Sequence, residues 1–332
     1  MGVSMHFHRF AFSRALPGVA LVLVAPGFAH AQNASPAPAP PPSFTALSFY
    51  VGGHQDDWEL FRGNAAYHDL KSSNARVVFV YATAGDAGMT NGWWEARERG
   101  AVAAVRKAVG PAPLTVDIAQ FLGHPIVRYT SGNSASYFLR LPDGAYRSGK
   151  GYPAYQNESL SELRDRGKPV SAVDKSTTYR SWKDFWQTIQ AIAEYERSRV
   201  PAVLHPKINA PDYFGADNSD ASCKSQDACN RCDHPDHIAV GQALRQFVAG
   251  IYDRVWWVGY YSQTRPENLN GEDFSGKGEV FFAYAAAVLN ESTMNGDPAP
   301  PNLWEWRAWG ARDYFRTVGW DQPDPDRPIC GS

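Results

Sequence analysis

The chain has 332 residues, of which 44% are hydrophobic and 20% charged, so it has enough apolar material for a buried core and too little charge for a disordered chain. The 32 basic and 34 acidic side chains give a net charge of −2, which supplies no general basic patch, so we expect no nucleic-acid partner. A mean hydropathy of −0.41 and the lack of a long apolar run argue against a membrane-spanning protein. We therefore expect a soluble, folded enzyme domain.

The N-terminal segment has the features of an export signal. Arg9 and Arg14 precede a mostly apolar stretch at residues 15–28, and Ala29-His30-Ala31 is a small-x-small cleavage pattern. The alternative is an uncleaved membrane anchor, for which the apolar run is short. We predict that residues 1–31 are a cleaved signal peptide.

The next segment, residues 32–43, is rich in Pro and Ala and predicts an extended linker. Residues 44–332 contain no internal repeat and no second low-complexity break, so we expect a single catalytic domain there. The signal peptide predicts that this domain is secreted or periplasmic, with no transmembrane span in the mature chain.

Strands and helices are predicted to alternate along this domain. In chain order they are a strand at 46–51, a helix at 57–70, a strand at 76–83, a helix at 93–109, a strand at 114–118, a helix at 182–198, a strand at 202–205, a helix at 236–248 and a strand at 254–261. This order predicts an α/β fold of the Rossmann-like type, a mainly parallel sheet with helices on both faces. Ligands of such sheets bind beyond the carboxyl ends of the strands.

Metal-competent residues follow the first predicted strand. His54, Asp56 and Asp57 lie in a turn that opens with glycines, where they can supply two metal ligands and leave one carboxylate free. The alternative is that the two aspartates only cap the following helix, where unpaired amides favour acids. Taken alone, this cluster does not separate chemistry from capping.

A second cluster, His234-Pro235-Asp236-His237, opens a later predicted helix. The spacing of three residues places both histidines on one face of the first turn, where one can bind a metal and the other can act as an acid or base. The alternative is a pair of surface histidines. Two such clusters, each at a strand-to-helix junction, favour a metal-dependent active site.

The two clusters resemble the motifs of a known family. Gly53-His54-Gln55-Asp56-Asp57 is similar to the A-H-P-D-D-E motif of the PIG-L (LmbE-like) zinc-dependent N-deacetylases, and residues 234–237 resemble their H-x-D-H motif. Residues 83–88 are similar to the family's T-x-G-[DE]-x-G segment. The resemblance spans residues 44–261 and implies an LmbE-like fold; the region after it matches nothing.

The resemblance implies a role for each matching residue. His54, Asp57 and His237 would hold Zn²⁺, or another divalent metal in its place, with a water in the open position. Asp56 would be the general base that deprotonates this water, and His234 the acid or oxyanion-stabilising group.

The chain also departs from the family pattern. Gln55 replaces a proline, and Trp58 stands where the motif ends in glutamate, with Glu59 displaced by one position. Cys232 occupies the place of a tyrosine near the oxyanion. We expect Asp236 to contact the ligand side chains and fix their orientation, and not to bind the metal itself.

Candidate substrate-binding residues follow the second predicted strand. Trp93 or Trp94 could stack on a sugar ring, although most buried tryptophans are core residues. Arg97 or Arg99 could contact substrate hydroxyls or an anionic group, with a solvated helix face as the alternative. Asp86 could bind a hydroxyl or simply stabilise a tight turn.

The four cysteines are expected to form two disulfide bonds in an exported protein, and a structural zinc site is the alternative. Three pairings are possible among Cys223, Cys229, Cys232 and Cys330.

These observations together predict an exported zinc hydrolase that removes an N-acetyl group from an amino sugar, such as an N-acetylglucosamine-type glycan or glycoconjugate. A larger acyl amide or a sugar ester is an alternative substrate. A non-catalytic carbohydrate-binding protein on the same fold is the alternative of another class.

Overall fold

The computed structural model describes residues 44–146, 148–214, 233–294 and 303–325. The predicted signal peptide, the linker and all four cysteines lie outside these residues, so the cleavage site and the disulfide bonds stay predictions.

The centre of the fold is an eight-stranded sheet in the order β10-β9-β8-β1-β2-β5-β4-β3. Its strands are β1 (Ala46–Gly52), β2 (Ala75–Thr83), β3 (Leu114–Phe121), β4 (His124–Ser131), β5 (Ser134–Leu141), β8 (Lys207–Pro211), β9 (Asp253–Trp257) and β10 (Phe315–Val318). The run β9-β8-β1-β2-β5 is parallel, whereas β3, β4 and β10 pair antiparallel at the two edges. A separate two-stranded ladder joins β6 (Val170–Ser171) to β7 (Thr178–Tyr179).

Helices cover both faces of the sheet. They are α1 (Asp57–Phe61), α2 (Gly63–Lys71), α3 (Trp93–Val109), α4 (Leu160–Arg166), α5 (Trp182–Ser198), α6 (Pro235–Leu244), α7 (Gly271–Met294) and α8 (Leu303–Trp309). Alternate residues of β1 and β2 point to opposite faces, so Phe49 and Val78 pack with α4, α5 and α6, whereas Tyr50 and Phe79 pack with α2, α3 and α7. The predicted fold class, a mainly parallel sheet covered on both faces, is confirmed.

Several predicted elements agree with the structure and others do not. The strands at 46–51 and 76–83 and the helices at 93–109 and 182–198 are confirmed. The helix predicted at 57–70 is two helices, because the backbone leaves helical geometry at Arg62 (φ −141°) and the guanidinium turns to Asp313, 2.7 Å away.

The remaining differences lie later in the chain. The strand predicted at 202–205 is wrong: these residues form an exposed turn, and the strand that pairs with β1 begins at Lys207. The helix predicted at 236–248 ends at Leu244, and the strand predicted at 254–261 ends at Trp257. A short 3-10 helix, Tyr260–Thr264, follows it.

The C-terminal region, which matched no pattern, is part of the same domain. Within the described ranges, none of its helices or the earlier ones has the length and apolarity needed to cross a membrane. Phe61 of α1, Trp257 of β9, Phe281 of α7 and Trp309 of α8 form one buried cluster, so the last helix is fixed against the first.

Candidate metal centre and substrate pocket

The three predicted metal ligands converge beyond the carboxyl end of β1. His54 Nδ1 lies 3.3 Å from Asp57 Oδ1 and 3.2 Å from His237 Nε2, and the last two atoms are 3.0 Å apart. The backbone N–H of His54 also donates to Asp57 Oδ2 (2.9 Å), which fixes the turn before α1. A Cβ atom at Gly53 would lie 3.2 Å from the His237 ring, so this glycine lets the two motifs approach.

This donor set fits a divalent metal. Ligand bonds of about 2.0–2.1 Å in a tetrahedral arrangement place the ligand atoms about 3.3 Å apart, close to the 3.0–3.3 Å observed between these three atoms. All three residues are buried, with at most 3% of their surface exposed. Two imidazole nitrogens and one carboxylate oxygen therefore face one point inside the protein.

The electrostatics of this cluster also favour the binding of a cation. Burial lowers the pKa of His237, but the charges of Asp57 and Asp233 outweigh it and raise that pKa to about 10. Burial raises the pKa of Asp57, but the charges of His237 and His54 bring it well below its usual value. Because carboxylates surround the histidines, the cluster binds positive charge strongly, whether as protons or as a metal ion.

Asp233 supports the third ligand and was missed by the sequence analysis. Its Oδ1 accepts hydrogen bonds from His237 Nδ1 (2.8 Å) and from the backbone N–H groups of His234 (2.8 Å) and Tyr260 (3.2 Å). This contact leaves His237 Nε2 free to face the metal position. The sequence does contain a signal for Asp233: it lies four residues before the ligand histidine, just before the helix begins.

Two further aspartates lie on the other side of His54. Its Nε2 is 3.3 Å from Asp236 Oδ2 and 3.6 Å from Asp143 Oδ1, while Asp236 also accepts the backbone N–H of Gly144 (2.9 Å). Asp236 is fully buried, and together with His54, Asp143 and His234 it forms a second group of side chains that could hold a metal ion. Asp143 was missed because it follows β5, which the sequence analysis did not predict.

His234 caps the N-terminus of α6 and faces a small cavity. Its Nδ1 accepts the backbone N–H of Asp236 (3.2 Å), so the neutral ring carries its proton on Nε2, which points toward Asp143 Oδ1 at 3.6 Å. Burial and the charge of His54 lower the pKa of His234 to about 4, and the ring is neutral near pH 7.

Asp56 lines the same cavity and is held by Arg97. The guanidinium of Arg97 donates to Asp56 Oδ1, to the carbonyl of Gly85 (2.9 Å) and to the Tyr284 hydroxyl (2.9 Å). Gly85 has a φ of +57°, and a Cβ atom there would lie 2.6 Å from the guanidinium. Arg97 thus lines the cavity, where one of its three donor groups bonds Asp56 and the other two fix the guanidinium to Gly85 and Tyr284.

The cavity opens into a larger pocket. The inner part, about 110 Å³, contains both motif residues and residues of the C-terminal region, and the outer part is about 510 Å³, a volume typical of small-ligand sites. The inner part is lined by His54, Asp56, Trp93, Arg97, Asp143, His234, Tyr260, Tyr284 and Glu305. The outer part adds mostly aromatic residues, Tyr146, Tyr152, Trp304 and Trp309.

The two predicted tryptophans have different positions. Trp93 lines both parts of the pocket. Trp94 instead packs under the guanidinium of Arg140, 4.9 Å from its ring, and is absent from the pocket wall. Arg99 is exposed on the outer side of α3, so it too lies away from the pocket. The helical turn explains the difference, because successive side chains on α3 point about 100° apart around the helix axis.

Asp86 stabilises a turn rather than facing the pocket. It is fully buried, and its two oxygens accept the backbone N–H groups of Asp143 (2.7 Å) and Gly88 (2.9 Å). Burial raises its pKa to about 6. The expectation of direct hydroxyl binding is therefore corrected: Asp86 positions the loop that carries Asp143.

The residues that depart from the family motif are buried beneath the site. Trp58 packs against Phe79, with ring centroids 4.7 Å apart, and its indole N–H donates to the Tyr81 hydroxyl (3.0 Å). Glu59 is fully buried in α1, and burial raises its pKa well above the usual value. Neither side chain lines the pocket. Cys232 lies outside the described residues.

Tyr260 and three residues of the C-terminal region complete the pocket. Tyr260 follows β9, and Trp304, Glu305 and Trp309 lie on α8. They reach the motif residues only because the last helix packs against α1 and the short helix after β9.

Fold and site together define an α/β protein with a buried histidine–aspartate centre able to hold a divalent metal under an aromatic pocket. No family model and no curated protein matches the chain. Among solved structures it is similar to the N,N'-diacetylchitobiose deacetylase from Pyrococcus horikoshii in complex with an inhibitor (11% identity, 82% of this chain and 84% of that chain, TM-score 0.41). It is also similar to the A40926 pseudoaglycone deacetylase (13%, 82% and 95%, 0.38) and to the zinc inhibited form of teicoplanin deacetylase (14%, 82% and 96%, 0.39).

Proposed function

We propose that this protein is an exported, zinc-dependent hydrolase that removes an N-acetyl group from an amino sugar. The observation that carries the proposal is the convergence of His54, Asp57 and His237 beside the carboxylate of Asp56, at the floor of an aromatic pocket. Two imidazoles and one carboxylate are ligands that zinc accepts in catalytic sites, where a fourth position stays open. When bound, the metal polarises the amide carbonyl and lowers the pKa of a water molecule.

Asp56 is the general base in this proposal. Arg97 fixes one of its oxygens, while the carboxylate lines the inner cavity next to the ligand cluster. From there it accepts a proton from the attacking water as the water oxygen bonds to the acetyl carbon. The same proton can then pass toward the amide nitrogen, whose bond to carbon breaks to give acetate and a free amine.

His234 is the second catalytic group in this proposal, beside Asp56. Its Nε2–H faces the inner cavity because Nδ1 is occupied by the backbone N–H of Asp236. A neutral N–H donor at this place stabilises negative charge on the acetyl oxygen and can assist protonation of the departing amine. This assignment supplies the role that a tyrosine fills in the family motif.

The outer pocket supports a saccharide substrate. Trp93, Tyr146, Tyr152 and Trp304 line it with flat apolar faces, on which pyranose rings can stack. The export signal predicted at residues 1–31 favours an N-acetylglucosamine-type glycan or glycoconjugate of the cell envelope or its surroundings. The same segment supports a secreted or periplasmic location.

The test measures bound metal and acetate release on the purified mature chain with N-acetylglucosamine oligosaccharides. We expect about one zinc per chain, loss of activity with a chelator and its return with Zn²⁺. Asp56→Asn should keep the metal and lower kcat by about 100- to 10,000-fold, whereas Asp165→Asn, an exposed aspartate on α4, should change neither.

Three outcomes would contradict parts of the proposal. Unchanged acetate release by the Asp56 variant would remove the general-base role. Activity confined to longer acyl amides or to sugar esters would change the substrate bond. Saccharide binding without metal or turnover would favour a carbohydrate-binding protein.

A further inference from the structure

Helix α8 brings one acidic side chain to the pocket on a rigid support. Trp309 stacks on Tyr260 with ring centroids 4.9 Å apart and donates its indole N–H to the Tyr260 carbonyl (3.1 Å). One turn earlier, Trp306 stacks on Phe281 of α7 at 5.3 Å. Both anchors are buried or partly buried, so α8 is held at two points of its short length.

Glu305 immediately precedes the first of these anchors in the chain and faces the pocket. It lines both the inner cavity and the outer pocket, so its carboxyl group stands where the two meet. Its nearest charged neighbours across the cavity are Asp56 and Arg97. Within the ranges that the structure describes, Glu305 has neither a hydrogen-bond nor an ion-pair partner.

Glu305 is partly buried, and its carboxyl group faces the pocket, where the hydroxyl of a ligand can replace the water that otherwise hydrates it. Burial and the charge of Asp56 raise the pKa of Glu305 to about 8, which shows how strongly this position disfavours an unpaired charge. Both the carboxylate and the carboxylic acid can hydrogen-bond a hydroxyl, because a hydroxyl donates and accepts.

The surroundings identify the kind of ligand group. Among the described residues that line the pocket, Arg97 is the one arginine or lysine, and its guanidinium is already paired with Asp56, so they offer no unpaired guanidinium or ammonium group to an anionic substituent. The walls beside Glu305 are aromatic, including Trp93 and the partly exposed Trp304. A carboxyl group beside flat aromatic faces can bind an uncharged sugar. A ring hydroxyl can hydrogen-bond the carboxyl group, while the apolar face of the ring stacks on an aromatic side chain.

We propose that Glu305 is a substrate-binding residue that hydrogen-bonds a ring hydroxyl of the amino sugar whose N-acetyl group lies over the metal centre. This inference rests on the proposed function for the identity of the sugar. It gives α8, a helix outside the motif region, a direct part in substrate selection.

The test measures binding separately from turnover. Isothermal titration calorimetry with zinc-loaded Asp56→Asn protein would follow the methyl glycoside of N-acetylglucosamine and analogues that each lack one ring hydroxyl. Adding Glu305→Ala should weaken binding of the parent glycoside by about 10- to 100-fold. The analogue that lacks the contacted hydroxyl should bind the Asp56→Asn protein as weakly as the parent glycoside binds the double variant. Adding Glu305→Ala should not weaken binding of this analogue further, because the contact is already absent.

Two controls separate this contact from a structural role. Glu272→Ala removes an exposed glutamate at the start of α7 and should leave binding unchanged. Glu305→Met keeps the length of the side chain but removes both carboxyl oxygens, so it should weaken binding only of glycosides that retain the contacted hydroxyl, which decides the question even if Glu305→Ala fails to fold.

The outcomes distinguish the two proposals. Equal weakening of every analogue by the Glu305 variants, or no weakening, would overturn the contact. Normal saccharide binding with no acetate release by the wild-type protein would overturn the deacetylase function and leave the Glu305 contact standing. Absence of saccharide binding to any variant would overturn both.

Discussion

The buried lysine that holds the end of α8 gives a quantitative test of the fold. Lys277 of α7 is fully buried, and its Nζ donates to the carbonyl oxygens of Trp309 (2.9 Å) and Arg312 (2.6 Å), where α8 ends. A neutral amine has two hydrogens and satisfies both acceptors. Lys277→Met retains the apolar stem, removes the amine and leaves two carbonyls at the helix end without their donor.

The effect of pH on this residue can be worked out from its environment. Burial lowers the pKa of Lys277 from 10.5 to about 7, and the charge of Asp313 only partly opposes this. Between these two values the unfolded chain binds more protons than the folded one, so the free energy of unfolding rises with pH. This contribution is complete above the unfolded pKa and is lost as pH falls through the folded pKa. From pH 7 to pH 9 it amounts to about 2 kcal/mol, less than two full steps of about 1.4 kcal/mol per pH unit, because about half of the folded chains still carry the proton at pH 7.

The assay is urea unfolding of the wild-type chain, Lys277→Met and an exposed control, Lys107→Met, at pH 7 and pH 9 with fixed metal concentration. The difference in unfolding free energy between wild type and Lys277→Met should grow by about 2 kcal/mol at the higher pH, and the control should show no such growth. An equal difference at both pH values would refute the neutral-lysine assignment.

Two further predictions concern the metal centre and its supports. Asp233→Asn keeps an acceptor for His237 but removes the charge, so we expect metal affinity to fall about 10- to 100-fold in a competition titration with a chelator; unchanged affinity would contradict its supporting role. Gly85→Ala places a Cβ atom against the Arg97 guanidinium. The control is Gly167→Ala, because the φ of +64° and ψ of 21° at Gly167 are left-handed helical and its Cβ atom would meet no atom of the described residues within 4 Å. Gly85→Ala should lose about 1–3 kcal/mol more stability than Gly167→Ala in denaturant unfolding, and equal losses would show that the crowding is relieved elsewhere.

Local sequence patterns predicted the elements whose signals are complete within one segment. The strands β1 and β2 are short runs of β-branched and aromatic residues, and α3 and α5 are long periodic helices, so their bounds were found. By contrast, β4 and β5 were missed, and β5 is a central strand of the sheet. Its run, Ser134–Leu141, has the alternation of a strand but few β-branched residues, and only its pairing with β2 shows its place.

The candidate site divides in the same way. His54, Asp56 and Asp57 are contiguous, and His234 and His237 lie on one helical turn, so each group could be recognised from spacing alone. Trp94 and Arg99 were included because a sequence does not show which side of α3 faces the pocket. Asp86 was included because a polar residue after a strand can face either solvent or another loop.

What the amino-acid sequence determined by itself is the donor chemistry that the two motifs can offer, because the residues of each motif lie close together in the chain. The tertiary structure alone decided which groups surround that chemistry. Asp143, Asp233, Tyr260 and Glu305 come from separate loops and helices, and each meets the motif residues only after the sheet and α8 have packed. A site assembled from so many elements depends on long-range contacts, and a local sequence pattern does not show which residues make them.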